Sequence, residues 1–432
     1  MELSGFTTKN TLSQEEQRTH PFSEMARTGL ACICSAVLLL TALITGCENS
    51  VFEIEKSSSG DILSTNLLHV FSRQEILQIL NTHQIPDSFD VAFPVEAFAV
   101  TYQTTDAQGR EIRASGALLI PQNTGNLPIL SIQHGTETKY DRVASVDPRN
   151  SAEGITGLLT ASIGYVTCIP DYPGFGISRT PHPYLHAASL TRSVIALIIA
   201  ARSYCNAHDV SLNGRLFLTG YSEGGFATLA VQKEIEESSL HELSIAAVAP
   251  MAGTYDMLGT ADHLLQQSTY QWPAYIAFFF YAYDNVYNWN RLDGILNAPY
   301  SGMMHSLFDG SKTFAEINRQ LPTSIPTLVN RNFVSNYFSG NEQALRSALA
   351  ENTLLDWTPV APIHFFHGDA DGVAPFHNAV AAMESFRAKG ATNIQLTAIP
   401  GGNHETSGLP SVFGAIAWFE SIRSNGKEPH HK

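Results

Sequence analysis

The chain has 432 residues, of which 44% are hydrophobic and 15% are charged, and its formal net charge at pH 7 is -15. This length and apolar content allow a large buried core, in one big domain with an insertion or in two domains. The acidic excess and the lack of a lysine and arginine cluster argue against partners with a phosphate backbone. We therefore expect no nucleic-acid binding.

The N-terminal sequence is typical of an export signal. An uncharged apolar run extends from Gly29 to Cys47, directly after the positive charge of Arg27. Its length is borderline for a transmembrane helix. The run ends in ITGC, which resembles a bacterial lipobox, in which small residues precede a cysteine that becomes lipidated. We expect residues 1–46 to be the signal and Cys47 the lipidated residue; the alternatives are a simple N-terminal anchor or a cleaved peptide.

The residues before and after the apolar run predict where translation begins and how the folded region is attached. Residues 1–24 carry four glutamates against one lysine and one arginine, which is unfavourable for export. We therefore expect translation to begin at Met25. Residues 47–65 are polar and small, and we expect them to form a flexible tether.

The first part of the folded region predicts a helix and a β-hairpin. Ser72 and Glu75 have the spacing of a capping box, which predicts a short helix from Ser72 to Leu80. Residues 95–121 alternate between apolar and polar, turn at 106–109 and alternate again, which predicts two antiparallel strands.

Beyond the hairpin, apolar strand-like runs alternate with helical stretches. This pattern predicts an α/β fold with a mostly parallel central sheet and helices on both faces. A long segment, 254–359, interrupts the alternation, and we expect it to form an inserted helical cap. The core then comprises residues 66–253 and 360–426, followed by a tail, 427–432. The strand-like runs are LPILSIQHG, GYVTCIPDY, RLFLTGYS, IAAVAPMAG, PIHFFHGD and NIQLTAIPGG.

The cysteines and acidic residues offer no metal site. Cys168 and Cys205, which lie in the expected folded part, do not have metal-ligand spacing. We expect them to be buried and unreactive; a single disulfide bridge is the alternative. The segment HGDADG hints at a calcium loop, but the later acidic ligands are missing. We therefore expect neither a metal nor an organic cofactor.

A serine lies between a predicted strand and a predicted helix in RLFLTGYSEGGFATLAVQKE, residues 215–234. Ser222 is the serine of a G-x-S-x-G pattern, in which small flanking residues admit a strained backbone and expose the hydroxyl. The pattern also occurs by chance in glycine-rich turns, but the flanking elements favour a nucleophile. A serine hydroxyl is a weak nucleophile and needs a base, an orienting acid and an oxyanion site.

Three aspartates are candidates for the orienting acid. Asp371 stands at the end of a predicted strand in HGDADGVAP. Asp369 in the same segment and Asp256 after PMAGTY compete with it. We favour Asp371 and expect Asp369 to be a turn or helix-entry residue.

Among sixteen histidines, His404 is the candidate base. It follows the last predicted strand, in IPGGNHE, 33 residues after the favoured aspartate. His134 and His367 each precede a glycine at a strand end, where a structural role suits them better. Serine, acid and histidine thus occur in the chain order of the α/β-hydrolase triad.

Two backbone amides are candidates for the oxyanion site. The Glu223 N–H directly follows the serine, where the negative side chain also suits the start of a helix. The second donor should come from the loop after LSIQHGT, and we expect the Thr136 N–H, with Gly135 next to it.

These motifs resemble those of α/β-hydrolases of the esterase–lipase type, above all the secretory lipase family and related lipid-anchored bacterial hydrolases. The resemblance implies acyl transfer, in which His404 takes the Ser222 proton, Asp371 orients the imidazole and water hydrolyses the acyl-enzyme. Glu223 departs from the pattern, because bacterial relatives more often carry glutamine there. Its extra negative charge beside the oxyanion site could lower activity. The motifs, spread over about residues 90–425, are QHGT, PDYPGFGIS, HPYLHAASLTRSVI, GYSEGG, PMAGTYD, HGDADGVAP and GGNH.

The cap sequence indicates the kind of substrate. Ten of the twenty residues from Tyr270 to Trp289 are aromatic, and Asp284 is the only formal charge among them. These rings either form the core of the cap or roof Ser222 with an apolar acyl or aryl pocket, and both can hold together. Trp272 and Phe279 are our candidates for substrate contact.

The leading hypothesis is a serine ester hydrolase that acts on a small-molecule or lipid ester. A serine peptidase on the same fold and a non-catalytic, lipid-anchored binding protein are the alternatives. The expected location is the bacterial cell envelope, with the lipid anchor in a membrane. Nothing in the sequence indicates an oligomeric state.

Overall fold

The computed structural model describes residues 58–85, 89–238 and 243–425. The predicted signal, Cys47, most of the predicted tether and the tail lie outside the described residues. The described part contains nine strands, which are β1 (Ile62–Phe71), β2 (Val95–Thr105), β3 (Glu111–Pro121), β4 (Leu127–Gln133), β5 (Val166–Pro170), β6 (Leu212–Tyr221), β7 (Ser244–Met251), β8 (Ile363–Gly368) and β9 (Ile394–Ile399).

These strands form a single sheet in the order β1-β2-β3-β5-β4-β6-β7-β8-β9. The β1–β2, β2–β3 and β3–β5 pairs are antiparallel, and the other five pairs are parallel. The predicted mostly parallel sheet is therefore confirmed. The predicted hairpin is β2–β3, whose turn is closed by a 2.9 Å hydrogen bond from Asp106 N–H to the Arg110 carbonyl.

Helices cover both faces of the sheet. On β6, Leu216 and Leu218 point into one hydrophobic cluster and Phe217 into the other, because successive strand side chains alternate between faces. The first cluster includes residues of the helices at 187–207, 223–237 and 377–388, and the second includes residues of the helices at 73–82, 152–162 and 408–425. The helices of the described residues are α1 (Arg73–Thr82), α2 (Ala152–Ser162), α3 (Ala187–Ala207), α4 (Glu223–Glu237), α5 (Met257–Leu265), α6 (Pro273–Val286), α7 (Leu292–Ile295), α8 (Tyr300–Leu307), α9 (Phe314–Asn318), α10 (Ile325–Leu328), α11 (Arg331–Phe338), α12 (Gln343–Glu351), α13 (His377–Ala388) and α14 (Gly408–Asn425).

The helices α5 to α12 lie between β7 and β8, inside the segment predicted to form the cap. Their apolar residues share one cluster with the α3 and α4 side of the sheet. Two contacts tie α6 to the loop before α3: the Phe278 ring stacks on Tyr184 with centroids 4.7 Å apart, and the Tyr283 hydroxyl donates to the Leu185 carbonyl over 2.9 Å. The cap is thus packed directly on the core.

The start of the sheet corrects one sequence boundary. We expected residues 47–65 to be a flexible tether, but β1 begins at Ile62 and pairs with β2, so residues 62–65 belong to the sheet. Most of this edge strand is exposed and its register shifts twice. Its sequence therefore lacks the regular alternation of apolar and polar residues that would predict a strand. The helix α1 that follows has the predicted capping box at Ser72.

The remaining cysteines lie in the core. Cys168 and Cys205 are both free and buried, which confirms the expected burial and excludes a bridge between them. Burial raises the pKa of each thiol to about 12, so both are protonated at neutral pH.

One helix of the described residues, α3, is long and apolar enough to cross a membrane by length and composition. In its most apolar window 72% of the residues are buried inside the protein. Its contacts with the sheet account for that burial, as in any core helix.

Candidate active site

The parallel register brings four loops to the carboxyl edge of the sheet. Gln133 at the end of β4 pairs with Gly220 of β6, which sets the loop after β4 beside the β6–α4 turn. Gly368 of β8 pairs with Ile399 of β9, so the loops that follow these strands are neighbours as well. Sites in α/β sheets form at this edge because the loops after the strands converge there.

Ser222 occupies the sharp turn between β6 and α4. Its backbone has φ +61° and ψ -120°, a conformation that residues with a Cβ rarely adopt. The flanking glycines are sterically required: a Cβ at Gly220 would clash with the Gly224 carbonyl oxygen, and one at Gly224 with that of Gln133. The turn therefore has the geometry of the nucleophile elbow that the G-x-S-x-G pattern predicts.

His404 and Asp371 lie beside this serine. His404 Nε2 is 2.8 Å from Ser222 Oγ, and His404 Nδ1 is 2.7 Å from Asp371 Oδ2. Since the carboxylate only accepts, Nδ1 carries a proton, and Nε2 of the neutral ring is free to accept the serine proton. The structure thus brings the three predicted residues together in one hydrogen-bonded chain.

The two competing aspartates have other partners. Asp369 Oδ1 accepts the Gly401 N–H over 2.7 Å, which ties the loops after β8 and β9 together. Asp256 caps α5 by accepting the Gly259 N–H over 2.8 Å. The distances therefore favour Asp371 as the acid.

Asp371 is held from three sides. Its Oδ1 accepts the N–H groups of Val373 and Ala374, at 2.8 and 3.0 Å. Burial by itself would raise the pKa of this carboxyl, but the neighbouring His367 and the hydrogen-bonded His404 outweigh it and hold the pKa at about 2. The carboxylate is therefore charged at neutral pH.

Two further side chains contact the three residues: His367, for which the sequence predicted a structural role, and Tyr221, for which it predicted none. His367 is fully buried, and its Nε2 lies 2.7 Å from the Ala374 carbonyl oxygen and 3.5 Å from Asp371 Oδ2. The Tyr221 hydroxyl donates to the His404 carbonyl oxygen over 2.7 Å. The HG pair in HGDADG was the only signal for His367, and nothing in the sequence indicated the role of Tyr221.

The two predicted oxyanion donors belong to two segments beside the serine, the start of α4 and the loop after β4. Glu223 is the first residue of α4, where unpaired N–H groups and the helix dipole favour negative charge. Thr136 follows Gly135, at which a Cβ would lie 3.9 Å from the Ser222 Cβ, so this loop packs against the nucleophile. The Gly135 N–H itself is bound to Glu153 Oε1 at 3.0 Å, which leaves Thr136 as the candidate of this loop.

The Glu223 side chain turns away from solvent and contacts a histidine. The residue is 1% exposed, and its Oε1 lies 2.7 Å from His182 Nε2. The acidic side chain that the sequence places beside the expected oxyanion site is therefore buried against a basic partner, which the sequence did not reveal.

An apolar cavity of about 90 Å³ opens between Ser222 and the cap. Its walls come from the loop before α3, from α5, α6 and α12, and from the turn that holds Asp371. The lining residues are Tyr184, Leu185, Ser222, Glu223, Thr254, Met257, Thr260, Ala261, Leu264, Leu265, Tyr270, Tyr275, Ile276, Phe279, Phe280, Leu345, Leu349, Val373 and Ala374.

The aromatic residues of the cap divide between the core of the cap and the wall of the cavity. Phe278 and Tyr281 stack on Phe308 inside the cap, whereas Phe279 lines the cavity, and its contact with a substrate stays a prediction. Trp272 is not among the residues that line this cavity, so the cavity does not support its predicted contact with a substrate. This residue is the N-cap of α6, is 37% exposed and packs beside Gly372, so it stands outside the cavity wall.

Comparisons with known proteins agree with this fold. The esterase LipA from Xanthomonas oryzae, described as degrading the rice cell wall, is 26% identical, and the alignment covers 86% of this chain and all of the esterase with a TM-score of 0.75. Candida antarctica lipase A is 15% identical over 86% of this chain and 84% of that chain, with a TM-score of 0.65, and supports the fold alone. No curated protein sequence matches the chain.

A serine at a nucleophile elbow on a mostly parallel sheet defines an α/β-hydrolase, here of the esterase and lipase class. The family model of the secretory lipases matches residues 152–431, more than half of the sequence. The chain therefore belongs to the secretory lipase family and is a serine ester hydrolase.

Proposed function

We propose that Ser222, His404 and Asp371 hydrolyse carboxylic esters through an acyl-enzyme. The observation that carries the proposal is the 2.8 Å contact between Ser222 Oγ and His404 Nε2 at the mouth of an apolar cavity. His404 takes the Ser222 proton as Oγ attacks the ester carbonyl, and Asp371 stabilises the imidazolium that forms. The imidazolium then protonates the leaving alkoxide as the carbon–oxygen bond breaks.

The second half of the reaction repeats these roles with water. His404 removes a proton from a water molecule, which attacks the acyl-enzyme and releases the acid, and the proton returns to Ser222. In both halves the N–H groups of Glu223 and Thr136 hold the tetrahedral oxyanion. Such donors contribute about 3 to 4 kcal/mol each to transition-state stability in comparable sites.

The cavity favours esters with an apolar acyl or aryl group. Aliphatic and aromatic side chains dominate its lining, and Glu223 is the only lining residue with a formal charge. Its Oε1 is paired with His182, and this basic partner weakens the attraction that the carboxylate would exert on the ammonium group of a peptide. An ester of an apolar acid therefore fits this site better than a peptide does.

A panel of p-nitrophenyl esters, from acetyl to palmitoyl, and aminoacyl p-nitroanilides tests the proposed reaction. We expect hydrolysis of the esters and little hydrolysis of the anilides. Ser421→Ala, which removes an exposed hydroxyl bonded to the Trp418 carbonyl, is the matched control for Ser222→Ala. Faster cleavage of the anilides than of the esters would contradict the proposal and favour a peptidase.

We propose further that Cys47 anchors the enzyme in a membrane of the cell envelope. The proposal is supported by the ITGC sequence at the end of the apolar run, and a secretory family agrees with export. A lipidated cysteine with two or more acyl chains gives stable anchoring, which a single chain does not. The substrate would then be a lipid ester or a small ester that reaches this surface.

A further inference from the structure

The carboxyl group of Glu223 is an unusual neighbour for an oxyanion. It belongs to the residue whose N–H is a proposed oxyanion donor, and a side chain of this length keeps its carboxyl group within about 6 Å of its own amide nitrogen. An unpaired carboxylate at this distance would repel the negative charge that develops on the substrate. It would also be costly to bury, since Glu223 is almost fully shielded from water.

His182 supplies the missing proton. Its Nδ1 lies 2.8 Å from the Pro173 carbonyl oxygen, which can only accept, so Nδ1 carries a hydrogen. The 2.7 Å contact between His182 Nε2 and Glu223 Oε1 needs a second hydrogen between the two atoms. Whichever atom holds this proton, the pair as a whole has no net charge.

The surroundings of His182 keep this pair out of water. The residue is 6% exposed, and its ring packs against Phe175 at 4.6 Å and against Phe278 of the cap at 5.7 Å between centroids. Electrostatic interactions are strong in such a weakly polar environment. The loss of either partner should therefore change the electrostatic potential at the oxyanion site.

The other charged groups near the site have partners of their own. The ring nitrogens of His134 contact the carbonyl oxygens of Gly135 and Asp171, at 2.7 and 2.9 Å. Glu153 accepts the Gly135 N–H. Within the described residues, the ion pair of Glu223 is with His182.

We propose that His182 is a positioning residue that neutralises Glu223, so that the amide of an acidic residue can serve as an oxyanion donor. The proposal rests on the function proposed for Ser222. It predicts that loss of His182 is harmful because a bare carboxylate remains, and that removing this carboxylate as well cancels the harm.

The test compares His182→Gln, Glu223→Gln and the double variant. For p-nitrophenyl butyrate, we expect His182→Gln to lower kcat about tenfold or more while KM changes little, because the charge acts on the transition state. The affinity for an alkyl boronic acid, which forms an anionic adduct with the serine, should fall in parallel. The double variant should recover most of both losses.

His186→Gln, alone and with Glu223→Gln, is the matched control. His186 is 4% exposed and bonds Ser189 Oγ over 2.8 Å, so its loss should simply multiply with that of Glu223. If His182→Gln does not fold, as judged by thermal unfolding, the double variant must fold where the single variant does not.

The outcomes separate this proposal from the proposed function. A double variant that is no more active than His182→Gln, or that recovers stability without kcat, would overturn the role of the pair. A double variant that also fails to fold would overturn it as well. A wild-type protein without Ser222-dependent ester hydrolysis would instead overturn the proposed function, and the pair's role with it.

Discussion

At Ser222 the backbone has a strained conformation, which contacts within the turn stabilise. A non-glycine residue at φ +61° and ψ -120° costs of the order of 1–3 kcal/mol. The Ser222 N–H compensates in part by donating to the Met251 carbonyl oxygen over 2.9 Å. The hydroxyl is thereby fixed at the position where His404 meets it.

Asparagine substitutions separate the three candidate acids. We expect Asp371→Asn to lower kcat by about 10⁴-fold, because the amide permits the wrong imidazole tautomer. Asp369→Asn and Asp256→Asn serve as matched controls and should cost far less, since each bonds a backbone N–H away from His404. A larger loss at either control position would refute the choice of Asp371.

The low pKa of Asp371 also makes the free energy of unfolding depend on pH. Its pKa falls from an ordinary 3.8 to about 2 on folding, so ionised Asp371 contributes about 2 kcal/mol to the free energy of unfolding. The contribution is present above pH 4 and is lost as the pH falls towards 2. Denaturant unfolding of wild type and Asp371→Asn should therefore show a difference that shrinks between pH 4 and pH 2. A difference that does not change with pH would contradict this linkage.

Among individual residues, those that belong to a recognisable motif were predictable from the sequence. Residues that come together only through tertiary contacts were not. Ser222, Asp371 and His404 follow predicted strands in a fixed order, so their meeting was predictable. His182 is 41 positions from Glu223, and no periodicity relates the two. Their contact depends on the loop before α3 crossing the start of α4.

At the scale of elements, continuous apolar runs predicted all six strands from β4 to β9. The edge strand β1 was missed because most of its side chains are exposed. The helical character of the cap was predictable from its sequence, but its packing was not. Phe279 and Trp272 belong to one aromatic run, yet only the first turns into the cavity.

Because Phe279 lines the cavity and Trp272 does not, alanine substitutions at these two positions form a matched pair. Phe279→Ala should enlarge the cavity and raise kcat/KM for long acyl esters relative to short ones. The change should be graded, because each buried methylene is worth about 0.8 kcal/mol, or roughly fourfold. Trp272→Ala should leave the chain-length profile in place. If both variants lose activity equally on all esters, in step with thermal stability, the rings serve only as the core of the cap.

At the scale of the whole molecule, the formal net charge of -15 disfavours electrostatic attachment to an anionic membrane. Attachment then depends on the proposed lipid at Cys47. Mass spectrometry of the membrane fraction from the native host should find an N-terminal peptide that begins at a lipid-modified Cys47. Cys47→Ser should release the activity into the soluble fraction. An unmodified Cys47 in a soluble exported protein, or an intact peptide that spans residues 1–46, would contradict the anchor.

Every role proposed for His404, Asp371 and the oxyanion donors depends on Ser222 being the nucleophile of an ester hydrolase. The most direct measurement is to label the protein with a fluorophosphonate, identify the modified peptide by mass spectrometry and compare ester turnover with that of Ser222→Ala. We expect the label on Ser222, and a turnover lower by about 10⁴- to 10⁶-fold in the alanine variant, which should still unfold cooperatively. A label on another residue, or an unchanged turnover in Ser222→Ala, would contradict it.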